Sequence, residues 1–185
     1  MTVTEAITLV ISSSVLSAIL TGLVSLRIQS LNYKQEYYKK IIERRIYAQE
    51  EILNLSNELS IQVKLDNGAL CNRICATGED HFNSIVILVG TSVNVSFWLS
   101  KKLSDILLEL NIFLLNEISH NIKGKSQEER DLSLISLGIQ NHEKIREYRK
   151  SIESQLMKDF GNAFDVKSFI RSNYTYEDKL YWLKK

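Results

Sequence analysis

Residues 5–27 read EAITLVISSSVLSAILTGLVSLR, and the fold turns on how this stretch is understood. Ala6 to Leu26 carries no charge, with Glu5 on one side and Arg27 on the other. As a helix it measures about 32 Å at ~1.5 Å per residue, close to a bilayer core of roughly 30 Å. We expect a transmembrane anchor over residues 1–27. A cleaved signal peptide is the competing reading. It fits less well, because its apolar stretch is shorter, at about 7–15 residues, and follows a basic segment. Here no Lys or Arg precedes the stretch and a basic pattern follows it.

The stretch has two faces. Ser14, Ser17, Ala18, Thr21, Gly22 and Ser25 recur at helical spacing, and Val15, Leu16, Ile19, Leu20, Leu23 and Leu26 fill the other side. Lipid gives no hydrophobic push between helices, so association depends on close backbone approach and hydrogen bonds, which small hydroxyl residues supply. A homo-oligomer, or a partner span on this face, is expected. The alternative is a lone anchor whose hydroxyls bond their own carbonyls one turn back. Arg27, Lys34, Lys39, Lys40, Arg44 and Arg45 follow the stretch. The bias of cations toward the cytoplasmic side places the long C-terminal part there, with an anionic inner leaflet as neighbour. Arg27, Tyr33, Lys34, Tyr37, Tyr38, Lys39 and Lys40 would then sit at the membrane interface.

Outward from the anchor, the chain reads as all-α. It has 185 residues, no proline and seven glycines, of which Gly22 alone precedes residue 68. Such a sequence favours long helices over a β sandwich, which needs frequent turns. Residues 28–65 form an expected amphipathic stalk. Tyr38, Ile41, Ala48, Ile52, Leu55 and Leu59 follow a three-to-four spacing, interrupted by Arg45. A short coiled coil and the first helix of a bundle both suit this pattern.

Residues 66–172 are expected to form a cytoplasmic helical bundle. Asp66-Asn67-Gly68 and Gly78-Glu79-Asp80 signal turns, with one or two helical turns between them. Phe82 to Leu99 is uncharged. Phe82, Ile85, Val86 and Val89 follow helical spacing, so a buried helix is the favoured reading, with a second span or a strand as alternatives. A second span would export the lysines behind it, against the charge bias. Ser100 can cap a helix over 101–122, whose apolar face is Leu103, Ile106, Leu107, Leu110, Phe113, Leu114 and Ile118. Ser126 and Glu129 have capping-box spacing ahead of a helix over 127–160. On it Gly138 marks a close approach or a weak point. A short helix over 163–171 is expected to turn Phe164 and Phe169 inward. The aromatic and basic tail, 173–185, suits a membrane surface, stacked bases or a return onto the bundle.

No catalytic constellation is found, so no catalytic residue, metal site or cofactor is assigned and no enzyme is expected. The glycines are isolated, and His81, His120 and His142 lie far apart. Cys71 and Cys75 are spaced i, i+4, and His81 lies nearby but a fourth ligand is missing, so they read as two reduced, partly buried thiols rather than a zinc site. A net charge of +1 gives no case for nucleic acid.

The layout resembles a group of poorly characterised bacterial single-span membrane proteins with a helical cytoplasmic domain, some found in phage-defence neighbourhoods. The resemblance lies in the span followed by Asn32-Tyr33-Lys34-Gln35-Glu36-Tyr37-Tyr38-Lys39-Lys40-Ile41-Ile42-Glu43-Arg44-Arg45-Ile46-Tyr47. Trp98-Leu99-Ser100-Lys101-Lys102-Leu103 and Lys158-Asp159-Phe160 complete it. It implies a self-associating inner-membrane effector controlled by its cytoplasmic domain. The alternative is a membrane-tethered adaptor that binds a cytoplasmic protein partner.

Overall fold

The computed structural model describes the backbone of residues 3–162 and 164–171, and the side chains of residues 17–162, 164–169 and 171. The described chain is predominantly helical. It divides into two compact units, Met1–Ile41 and Ile42–Lys185. Helix α1, Val3–Ser60, runs through the division. With no glycine between Gly22 and Gly68 and no proline, nothing in the sequence interrupts it.

In the second unit, Arg45, Ala48, Ile52, Leu55 and Leu59 are buried along one side of α1. Their spacing of three and four keeps them on one face. Arg45 belongs to this seam and does not interrupt it. Tyr38, expected to begin the seam, is exposed.

The stalk was expected to run to residue 65, but α1 stops at Ser60. The hydroxyl of Ser60 donates to the carbonyl of Asn57, at 2.7 Å. A two-stranded antiparallel hairpin follows, β1 (Gln62–Lys64) and β2 (Leu70–Asn72), with Val63 opposite Cys71. Gly68, at φ 81°, closes the turn. The helical turns expected between the two turn signals begin only after β2, in α2 (Arg73–Ala76). Asn72 fixes both junctions. Its Nδ2 donates to Leu59 O at 2.8 Å, and its Oδ1 accepts from Ile74 N at 3.1 Å. It thereby satisfies an orphan carbonyl at the end of one helix and an orphan N–H at the start of the next.

Phe82 to Leu99 resolves as a helix, α3 (Glu79–Ser96), and not as a strand. Phe82, Ile85, Val89 and Ser92 are buried, and the helix packs on α4 (Lys101–Phe113). Ser100 caps α4, its hydroxyl accepting from Leu103 N at 3.2 Å. The single helix expected over 101–122 has three parts. Behind α4 come a π-helical stretch, Leu114–Ser119, and α5 (His120–Ile122). The buried residues explain the widening. Leu110, Leu114, Ile118 and Ile122 are four apart, and a regular α-helix would rotate them steadily off one face. The i→i+5 bonds of the π stretch put more residues in each turn and hold them in line.

The helix expected over 127–160 is broken at Asn141 into α6 (Gln127–Gln140) and α7 (His142–Gly161). Asn141 Nδ2 donates to Leu137 O at 3.0 Å, a side-chain bond that competes with the helix ladder. The Ser126–Glu129 capping box is formed. Gly138 is a close approach: a Cβ there would lie 2.5 Å from Cys75 Cβ and 2.6 Å from Cys71 Sγ. Helix α8 is Val166–Ile170. Phe169 is buried, as expected, but Phe164 is 69% exposed.

Candidate functional site

Two apolar surfaces stand out, one in each unit. The first lies on α1. Ile19, Leu20, Leu23, Val24, Leu26, Ile28 and Leu31 are all at least half exposed. At about 100° per residue they cover an arc of roughly 200°, more than half the helix circumference. The small-residue face lies on the other side. Ser17, Ala18, Thr21, Gly22 and Ser25 are exposed, and Gly22 has open space where a Cβ would stand. Thr21 Oγ1 donates to Ser17 O at 2.8 Å, the local bond expected of a lone helix. Ser14 lies outside the described side chains, as does most of Ala6–Leu26. Among the described residues, no helix is long and apolar enough to cross a membrane. That applies to α3, so the second-span reading of 82–99 is not supported.

Of the expected interface residues, Arg27, Tyr33, Lys34, Tyr38, Lys39 and Lys40 are exposed and Tyr37 is half-buried. The Tyr37 and Tyr38 rings lie 6.2 Å apart. The aromatic and basic tail, 173–185, lies outside the described residues.

The second surface is a groove of about 480 Å³ between the C-terminal half of α1 and the end of α7. Ile46, Leu53, Met157, Phe160 and Phe164 line it, with Gln49 and Glu50 as its polar members. Met157 and Phe164, both on its lining, are 72% and 69% exposed. Gln49 is only 7% exposed, and its Nε2 has no hydrogen-bond partner among the described residues. A buried amide donor without an acceptor costs stability, so it invites one from outside.

A buried polar cluster pins the groove wall. Arg45 Nη1 donates to Asp165 O at 3.3 Å, and its guanidinium lies 5.0 Å from the centre of the Phe169 ring. Phe169 also stacks on Trp98 at 5.9 Å. Burial pulls the Arg45 pKa down, while the charges of Asp159 and Asp165 pull it up. Asp159, buried on α7, accepts from Ser100 Oγ at 2.6 Å and Gln155 Nε2 at 3.0 Å. The turn bearing Phe164 is thereby tied to α1 through Arg45, while Asp159 ties α7 to the cap of α4.

The remaining chemistry-bearing residues serve the core or the surface. Cys71 and Cys75 are free and buried, more fully than the sequence suggested. Burial raises both thiols, Cys75 to about 12, far from the thiolate form that reactivity needs. Among the described residues, no group of three His, Cys, Asp or Glu side chains is placed to hold a metal ion.

The groove was not read from the sequence. Its signals are Ile46 and Leu53, seven apart, and Met157, Phe160 and Phe164, at spacings of three and four. Both runs lie beside a stronger apolar seam that draws the eye first, and neither was included in it. Comparison with known protein families, curated proteins and solved structures finds no match to this chain.

Proposed function

We propose that the chain is an integral protein of the bacterial inner membrane, anchored by Ala6–Leu26 with its helical domain in the cytoplasm. The spans self-associate through Ser14, Ser17, Ala18, Thr21, Gly22 and Ser25, and the assembly acts on the membrane as an effector. The helical domain controls it. The observation that carries this reading is the arc of exposed apolar side chains from Ile19 to Leu31. Seven such residues on one short stretch of helix need lipid or protein around them. The small, open face at Gly22 suits helix-on-helix approach. A role in phage defence rests on the sequence resemblance alone.

A second reading is favoured by the groove: a membrane-tethered adaptor whose helical domain binds a protein. Replacing residues 6–26 with an unrelated apolar span separates the two. An effector loses its effect on the membrane when the small-residue face goes, although the protein still inserts. An adaptor keeps working on any anchor. Insertion is read by resistance to alkaline extraction, and activity by growth arrest on expression.

A further inference from the structure

We propose that the groove between α1 and α7 is the docking site of this chain's own C-terminal segment, residues 172–185. This goes beyond the effector reading and does not depend on where the first residues sit.

The groove asks for an occupant with apolar side chains, a hydrogen-bond acceptor and positive charge. Its walls are Ile46, Leu53, Met157, Phe160 and Phe164. The buried Nε2 of Gln49 lacks a hydrogen-bond partner among the described residues, and Glu50 brings an exposed negative charge to the lining. The segment SNYTYEDKLYWLKK, 172–185, supplies all three. Leu180, Tyr181, Trp182 and Leu183 are contiguous and apolar. Lys179, Lys184 and Lys185 flank them, and each peptide unit brings a carbonyl.

Reach is sufficient. The described chain ends at Arg171, seven residues past Phe164, so the two lie within about 25 Å by chain length alone. Residues 172–179 span roughly 26–29 Å when extended. That returns the chain to the Phe164 wall with Leu180 to Leu183 still to be placed. The departure point is fixed, because Phe169 is held between Trp98 and Arg45. Tethering also favours the segment over a free competitor, since a short linker gives an effective concentration of about millimolar.

The test reads accessibility at the groove. Met157→Cys in the full chain places a thiol on the lining, against native thiols that are buried. Its maleimide reaction rate is compared in three proteins: the full chain, a chain ending at Arg171, and a full chain carrying Leu180→Glu and Leu183→Glu. The proposal expects at least tenfold slower labelling in the full chain than in both others. It also expects protection to return when the synthetic peptide 172–185 is added to the shortened chain. Unchanged buried Cys71 and Cys75 reactivity reports that the fold is intact, and the double-glutamate chain serves if truncation unfolds it. Equal rates in all three proteins overturn the proposal. Protection that rises with protein concentration assigns the groove to a second copy and overturns it. Protection that appears only with added anionic vesicles assigns it to the bilayer and overturns it.

Discussion

Gly138→Ala tests how tightly α6 is seated on the hairpin and α2. The new methyl would stand 2.5 Å from Cys75 Cβ and 2.6 Å from Cys71 Sγ, where carbon contacts are normally about 3.5–4.0 Å. Cys75 Cβ is fixed to the backbone and cannot swing aside, so the helices must part by about 1 Å. Overpacking of this kind costs roughly 1–3 kcal/mol. Alanine recovers about 0.5–1 kcal/mol of helix propensity relative to glycine. The net loss expected is about 1–2 kcal/mol, a fall in Tm of roughly 2–8 °C for a chain of this size. Gly90 supplies the control. It lies inside α3 with no atom within 4 Å of its would-be Cβ. Gly90→Ala is therefore expected to gain about 0.5–1 kcal/mol. The two variants are compared by thermal unfolding of the full chain in detergent, followed by circular dichroism. Adding Cys71→Ala to Gly138→Ala removes one of the two clashes, so the penalty shrinks in a double-mutant cycle. A Gly138→Ala protein stabilised like Gly90→Ala, with no coupling to Cys71, refutes the reasoning.

Asp159→Ala strips the half-buried Ser100 and Gln155 donors of their acceptor and removes a charge that supports Arg45. Unfolding in urea is expected to show a loss of about 3 kcal/mol. Arg45→Met is expected to cost less, since it removes the buried charge along with its contacts; a larger loss than Asp159→Ala would contradict this account of the cluster. Native Cys71 and Cys75 are expected to resist thiol reagents at pH 8 and to react once the chain is unfolded. A thiol raised to about 12 in the fold and near 9 when unfolded holds its proton longer in the native state. Its contribution to stability is therefore whole below pH 9 and is lost as pH rises from about 9 to about 12, with a slope of at most ~1.4 kcal/mol per pH unit. A Cys75→Ala protein with the same alkaline slope as the parent would rule that contribution out.

The helical character, the Ser100 cap, the Ser126–Glu129 capping box and the burial of Phe82, Ile85 and Val89 were legible because each rests on local chemistry or a regular period. The missed features depend on contacts distant in sequence or on competition between close alternatives. Arg45 read as a surface cation because a charge inside an apolar seam is costly; it is tolerated where Asp165, Asp159 and the Phe169 ring converge from a distant part of the chain. The short hairpin at 62–72 followed a stretch with no breaker before Asp66, and its strands of three residues are too short to impose a period. Asn141 ended a helix three residues beyond Gly138, and the sequence left open whether that glycine marked a weak point or a close approach. Phe164 was placed inward on apolarity alone, and its exposure is what opens the groove. Of the candidate sites, the small-residue ladder was visible as a spacing. The orphan amide of Gln49 required three dimensions.

The central proposal is that spans packed through the face around Gly22 produce an effect on the membrane. Membrane potential and dye entry in bacteria expressing the full chain, beside cells expressing an equally inserted Gly22→Leu protein, test it most directly. The account predicts depolarisation and dye entry with the parent, and loss of both with the variant, because a leucine at Gly22 holds the helix backbones apart. Equal depolarisation by both proteins would contradict it, as would an intact potential in cells making the parent.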